Sequence, residues 1–196
     1  MSGVRVARAD DLGRIARTAT RAFADDPLFR WFFPDAESYE AAAPNMFGYL
    51  AGKSVSFECT YVTPDAAAVG IYLPPGRPEP EPSAEPQEAP APPPELMDRF
   101  AAIGEAMAAN TPPELHWYLN VLATHPDWQR QGLGTAIIAP VAERCDTEGL
   151  PLYLETQTAS NVAYYGHLGF TVRSEWDLPF DGPHMWGMVR EPRQLH

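Results

Sequence analysis

The chain has 196 residues, 45% of them hydrophobic, with 14 Lys+Arg against 26 Asp+Glu and a net charge of −12. That much apolar side chain fills the core of one domain and excludes a disordered chain. The acidic balance excludes a nucleic-acid partner, because nothing would neutralise a run of phosphates, and no apolar run approaches the roughly 18 residues of a membrane-spanning helix.

The start, Met1-Ser2-Gly3-Val4-Arg5, lacks the apolar core of a signal peptide, so a cytoplasmic location is expected. A strand over 4–8 comes first. Asp10 or Asp11 then caps a helix whose Leu12, Ile15, Ala16, Ala19 and Phe23 follow helical spacing, and Asp26-Pro27 stops it. The aromatic cluster Phe29, Trp31, Phe32 and Phe33 reads as a loop-like segment, either a core flap or the wall of a substrate pocket. A helix over 39–53 contains Pro44, and strands over 56–62 and 67–73 are joined at Thr63-Pro64-Asp65. Ten of the 21 residues 74–94 are proline, interleaved with Glu79, Glu81, Glu85 and Glu88. Such a stretch has little to bury and prefers extended, solvated conformations, so it is expected to be a mobile acidic insertion within one domain spanning 1–196. A helix over 95–109 follows. The second half then reads strand 116–124, helix 132–148, strand 152–156, helix 161–168 and strands near 171–176 and 184–189. Strands alternating with helices, closed by a hairpin, predict a mixed α/β sheet.

Cys59 and Cys145 are too few and too far apart for a disulfide framework or zinc ribbon, and buried reduced thiols are expected. His116, His125, His167, His184 and His196 show no metal-ligand spacing, so no metal is expected. The informative segment runs from His116 to Ile138. A strand ends at Pro126, a glycine-containing loop follows, and an apolar helix begins at once. Glycines there admit close backbone approach, and a helix start offers unpaired N–H groups at the positive end of a dipole, which makes an anion site. A Walker-type loop needs a lysine that is absent here. A dinucleotide fingerprint finds Gly132 and Gly134, and Glu155 at about the place of a ribose-binding acid, but Ile137 occupies its third glycine position.

Gln129-x-x-Gly132-x-Gly134, placed between a strand and a helix, resembles the acyl-CoA motif of the GNAT-type N-acetyltransferases. Asn161-Val-Ala-Tyr-Tyr165-Gly-His-Leu-Gly169-Phe170 resembles that family's second motif, and one strand lies between the two. The likeness is nearest to the puromycin N-acetyltransferase-like group, through Ala-Phe-Ala-Asp-x-Pro ending at Pro27, Leu154-Glu155-Thr156, and Gly-Pro-x-x-Trp ending at Trp186. The proline-rich insertion departs from that group's pattern, which leaves acceptor choice open.

The resemblance implies a single α/β (α+β) GNAT-like domain, with a mixed, mostly antiparallel sheet of six to seven strands, flanking helices and splayed central strands. It implies acetyl-CoA as acyl donor and a small-molecule amine as acceptor, antibiotic-like or a metabolite. Leu122, Ala123 and Thr124 would run beside the pantetheine arm, with the Leu122 N–H polarising the thioester carbonyl. Gln129, Arg130, Gln131, Gly132, Leu133, Gly134 and Thr135 would hold the pyrophosphate, Arg130 being either a cation beside it or a solvated side chain. Tyr165 would be the general acid, with Tyr164 as its internal control; at a reference pKa of about 10 a phenol stays protonated at neutral pH. Asn161 would bond the CoA arm or cap its helix. Glu155 is the candidate base, or binds the substrate cation only. His116 and Tyr118 are placed on one face of their strand with Asn120, opposite Trp117, Leu119 and Val121. They are candidate acceptor contacts with Asp26, Trp31 and Trp186, each of which also has a plain structural reading. The rival functions are a non-catalytic acyl-CoA-binding regulatory protein and an NAD-dependent enzyme. Oligomeric state is not legible.

Overall fold

The computed structural model describes residues 3–76 and 94–193. Its elements are β1 (Arg5–Val6), α1 (Leu12–Ala22), α2 (Pro27–Phe32), α3 (Ala36–Val55), β2 (Thr60–Val62), β3 (Ala68–Leu73) and α4 (Pro94–Asn110) in the first half. The second half contributes β4 (Trp117–Thr124), α5 (Leu133–Glu148), β5 (Leu152–Thr156), α6 (Ala159–His167), β6 (Thr171–Asp177) and β7 (His184–Arg190). Together they build one seven-stranded sheet in the order β1-β2-β3-β4-β5-β7-β6. Every pairing is antiparallel except β4 with β5. With one parallel pair, the doubly wound parallel sheet of a dinucleotide-binding enzyme is not formed. The bulk of the proline-rich insertion, 77–93, lies outside the described residues.

Two apolar layers sandwich the sheet. On one face Ile15, Ala19, Phe47 and Ala51 from α1 and α3 pack with Val69, Ile71, Val121 and Ala123. On the other Ile138, Val141 and Cys145 from α5 pack with Trp117, Leu119, Leu152 and Leu154. Both cysteines are buried and free, and burial pushes the thiol of Cys59 up to about 11 and that of Cys145 up to about 12.

Two sequence expectations are corrected here. The aromatic run after Asp26 is helical: Pro27 starts α2, and the Asp26 carboxylate caps it by accepting from the Leu28 N–H at 2.9 Å. Strict alternation also fails along β4. Ile71 pairs with Val121 but Tyr72 pairs with Leu119, so Asn120 is an extra, bulged residue. The bulge inverts the faces, and Val121 joins the α1–α3 layer while Trp117 and Leu119 face α5.

Ion pairs to two largely buried carboxylates tie β1 and β7 to neighbouring segments. Arg190 on β7 forks onto Asp146 of α5 through two bonds of 2.8 Å, and the Arg193 N–H adds a third at 2.7 Å. Asp11, side chain 3% exposed, accepts from Arg5, Arg14 and the Arg8 N–H. Guanidinium partners hold both carboxylates below their ordinary range. The folded state therefore binds protons less readily than the unfolded chain. The stabilisation is complete above the unfolded carboxylate value of about 3.9 and is lost as pH falls through the lower folded values. Asp146→Ala, which strands Arg190 unpaired, is expected to cost about 3–5 kcal/mol in urea unfolding at pH 7. The cost should shrink in acid, where the carboxylate is protonated anyway.

Candidate active site

Strand pairing at the centre of the sheet is incomplete. β4 and β5 pair only at Trp117–Leu152, Tyr118–Tyr153 and Leu119–Leu154. Beyond Leu119, β4 continues with β3 as far as Thr124, whereas β5 stays with β7 through Thr156. Each half-sheet keeps its own twist and the two part company. A cavity of about 180 Å³ opens in the gap, bounded by Tyr118–Leu122 of β4, Glu155, Thr156 and Gln157 after the parting on β5, and Asn161 and Tyr165 of α6.

The bulge decides which amides face this gap. The His125 N–H bonds to the Ala67 carbonyl at 2.8 Å, so the antiparallel ladder assigns Ala123 and Val121 to β3 as well. The backbone groups of Leu122 and Thr124 alternate with these and point into the opening. Before the bulge the parity is reversed, and the Trp117 N–H bonds to Pro151 on the β5 side at 2.9 Å. Ala123 thus sits between the two edge positions with its own backbone on the β3 ladder and its methyl in the core. A strand edge of this kind pairs with the amide groups of an extended ligand.

At the mouth of the gap, Arg130 (φ 60°) and Gly132 (φ 77°) take left-handed backbone in a single turn, and Gly132 caps α5. The first helical bond is from the Ala136 N–H to the Gly132 carbonyl at 3.0 Å. Leu133, Gly134 and Thr135 consequently present first-turn N–H groups that have no intrahelical acceptor. A Cβ on Gly134 would stand 2.8 Å from the Tyr164 hydroxyl, so glycine keeps this surface low. The turn forms an N–H cradle at the positive end of α5, which suits a diphosphate. Gln129 has a supporting contact, its Nε2 donating to the Thr124 carbonyl at 3.3 Å.

The α6 residues divide their tasks. Thr158, not Asn161, caps the helix, and the Asn161 amide donates instead to Thr156 Oγ1 at 3.1 Å. Tyr165 is 8% exposed, packs against Phe170 and lines the cavity. Burial pushes its phenol well above the ordinary value. Tyr164 turns toward the cradle, its hydroxyl 3.4 Å from Thr135 Oγ1. The rest of the cavity lining is apolar, with Phe23, Leu28, Phe29, Leu50, Ile103, Met107 and Met185.

Glu155, Tyr118, Leu122, Asn161 and Tyr165 therefore meet at one cavity. Asp26 stands behind its wall, where its carboxylate caps α2 and accepts from the Gln157 amide; desolvation raises its pKa. Trp31 lies outside the lining and donates from Nε1 to the Phe180 carbonyl at 3.0 Å, bolting α2 to the β6–β7 turn. Trp186 pairs with Thr156 and stacks edge-on against His184. His116 is remote, buried near Glu114 and against Tyr153 beside a separate surface pocket. Sequence reasoning missed Asn120, Gln157 and Met185, although Gln157 directly follows the Leu154–Thr156 motif. Among the described residues no group of three His, Cys, Asp or Glu side chains could hold a metal, and no helix is long and apolar enough to cross a membrane.

Residues 77–170, the segment holding both the parted strands and the cradle, match the model of the Acetyltransferase (GNAT) family. That segment is similar to the GNAT acetyltransferases, and the described residues have the fold of a single GNAT domain. An uncharacterised N-acetyltransferase of Schizosaccharomyces pombe is 35% identical over 78 residues, 39% of this chain and 32% of that protein. The match thus spans about a third of the curated relative's length. The fold agrees with the structure described as histone acetyltransferase HPA2 and related acetyltransferase from Corynebacterium glutamicum (TM-score 0.71, 22% identity, covering 100% of this chain and 99% of that one). It agrees also with arylalkylamine N-acetyltransferase 2 from Aedes aegypti (TM-score 0.66, 11% identity, 97% and 98% covered). The acyl donor of GNAT acetyltransferases is acetyl-CoA, and the edge amides and N–H cradle described above are of the kind such a donor requires.

Proposed function

We propose that this GNAT domain transfers the acetyl group of acetyl-CoA to the primary amine of a small molecule that carries an apolar or aromatic arm. The observation that carries the reading is a single cavity whose wall includes the β4 edge, Tyr165 and Glu155 together with the apolar Phe23, Leu28, Phe29 and Met185. The Leu122 N–H donates to the thioester oxygen as negative charge develops there, and the cradle of residues 130–135 anchors the diphosphate. Glu155 accepts the proton of the ammonium, directly or through water, so that a neutral amine attacks. As the adduct collapses and its C–S bond breaks, Tyr165 donates its phenolic proton to the departing thiolate, and the proton lost from the acylated nitrogen restores the phenol.

The apolar part of the lining supports an acceptor such as an arylalkylamine, the class named for the Aedes aegypti neighbour. An aminonucleoside or another amine-bearing antibiotic or metabolite fits the same description, in keeping with the likeness to the puromycin N-acetyltransferase-like group. A panel of amines assayed with acetyl-CoA, followed by free-thiol release, tests the proposal. Turnover is expected to favour amines with aromatic arms over short hydrophilic ones. Tight CoA binding in calorimetry without turnover on any amine would instead support a regulatory acyl-CoA-binding protein.

A further inference from the structure

We infer that the side-chain carbonyl of Gln157 is a specificity-determining acceptor for the N–H groups of the incoming amine, held in that orientation by Asp26. The inference rests on the acetyl-transfer reading above. Gln157 lines the cavity one residue beyond β5, next to Thr156 and two residues from Glu155. One oxygen of Asp26 accepts from the Leu28 and Phe29 N–H groups at 2.9 and 3.4 Å, and the other accepts from Gln157 Nε2. An ionised carboxylate only accepts, so the amide nitrogen of Gln157 turns toward Asp26 and its carbonyl oxygen turns away from it.

This matters chemically because Gln157 shares the cavity lining with Glu155, the proposed proton acceptor, as well as with the apolar Phe23, Leu28, Phe29 and Met185. A neutral carbonyl orients an amine by accepting its N–H without favouring the ammonium form. A carboxylate in the same place would favour the charged form, which cannot attack. Asp26 also caps α2, which carries Leu28 and Phe29. The same side chain therefore sets both the polar and the apolar parts of the acceptor wall.

Steady-state kinetics on wild type, Asp26→Asn, Gln157→Leu and the double variant test this. Asparagine caps helices as well as aspartate. Its amide nitrogen, however, would face Gln157 and draw the glutamine carbonyl out of the cavity. Both single variants are expected to raise KM for the amine about tenfold, the worth of one hydrogen bond, with KM for acetyl-CoA unchanged. The double variant should be no worse than Gln157→Leu alone, because Asp26 acts through Gln157; a merely structural cap would give additive losses. The inference is overturned if Gln157→Leu leaves amine KM unchanged while wild type turns over, or if only Asp26→Asn has an effect. Wild type that acetylates no amine overturns the acetyl-transfer reading itself, and this inference with it.

Discussion

Tyr165→Phe lowers kcat by about two to four orders of magnitude, the range for removing a positioned general acid, and leaves the acetyl-CoA Kd unchanged. The ring is buried between Tyr164 and Phe170, at centroid distances of 5.1 and 5.6 Å, so phenylalanine fills the same slot and the melting temperature should hold. Only the proton donor is lost. Tyr164→Phe is the control: it removes the 3.4 Å contact with Thr135 and should leave kcat nearly intact. Burial raises the Tyr165 phenol above its ordinary value of about 10. Wild-type activity should therefore rise with pH as the acceptor amine loses its proton, with no descending limb from this phenol between about pH 7 and 10. Full activity in Tyr165→Phe would remove it from the chemistry.

Gly134→Val should weaken acetyl-CoA binding at least about a hundredfold, roughly 2.7 kcal/mol, in calorimetry. The added side chain would begin 2.8 Å from the Tyr164 hydroxyl and rise over the N–H groups of the first turn of α5. The fold survives, because the obstructing atom is the tip of a half-buried tyrosine and not backbone. Unchanged affinity in a folded variant would mean that the turn only starts a helix.

These two positions illustrate how far a single chain can be read. Tyr165 and Gly134 stand in ordered local motifs, Gly132-x-Gly134 and Asn161…Tyr165…Gly169-Phe170, and local motifs act through backbone geometry that a few neighbouring residues dictate. The β-α-β-α-β-β order of the second half was legible for the same reason: apolar spacing and glycine or proline punctuation are local. From the sequence, the segment after Asp26 reads as a loop because aromatic density hides helical spacing. A cap bond from Asp26 together with Pro27 is enough to start a turn there.

What the amino-acid order determined by itself was the order of elements in the second half, the glycine turn that starts a helix there, and the motif that nominates Tyr165. Only the tertiary structure decided where β4 leaves β5, which depends on each strand holding a different partner, and which β4 amides face the gap, which depends on one bulged residue, Asn120. It also decided the lining of the cavity, gathered from residues as far apart as Phe23, Ile103 and Met185, and the contact of Asp26 with Gln157 across 131 positions. Pairing choice, register slips and long-range contacts are settled by competition among distant segments for the same core, and no window of neighbouring residues contains that competition.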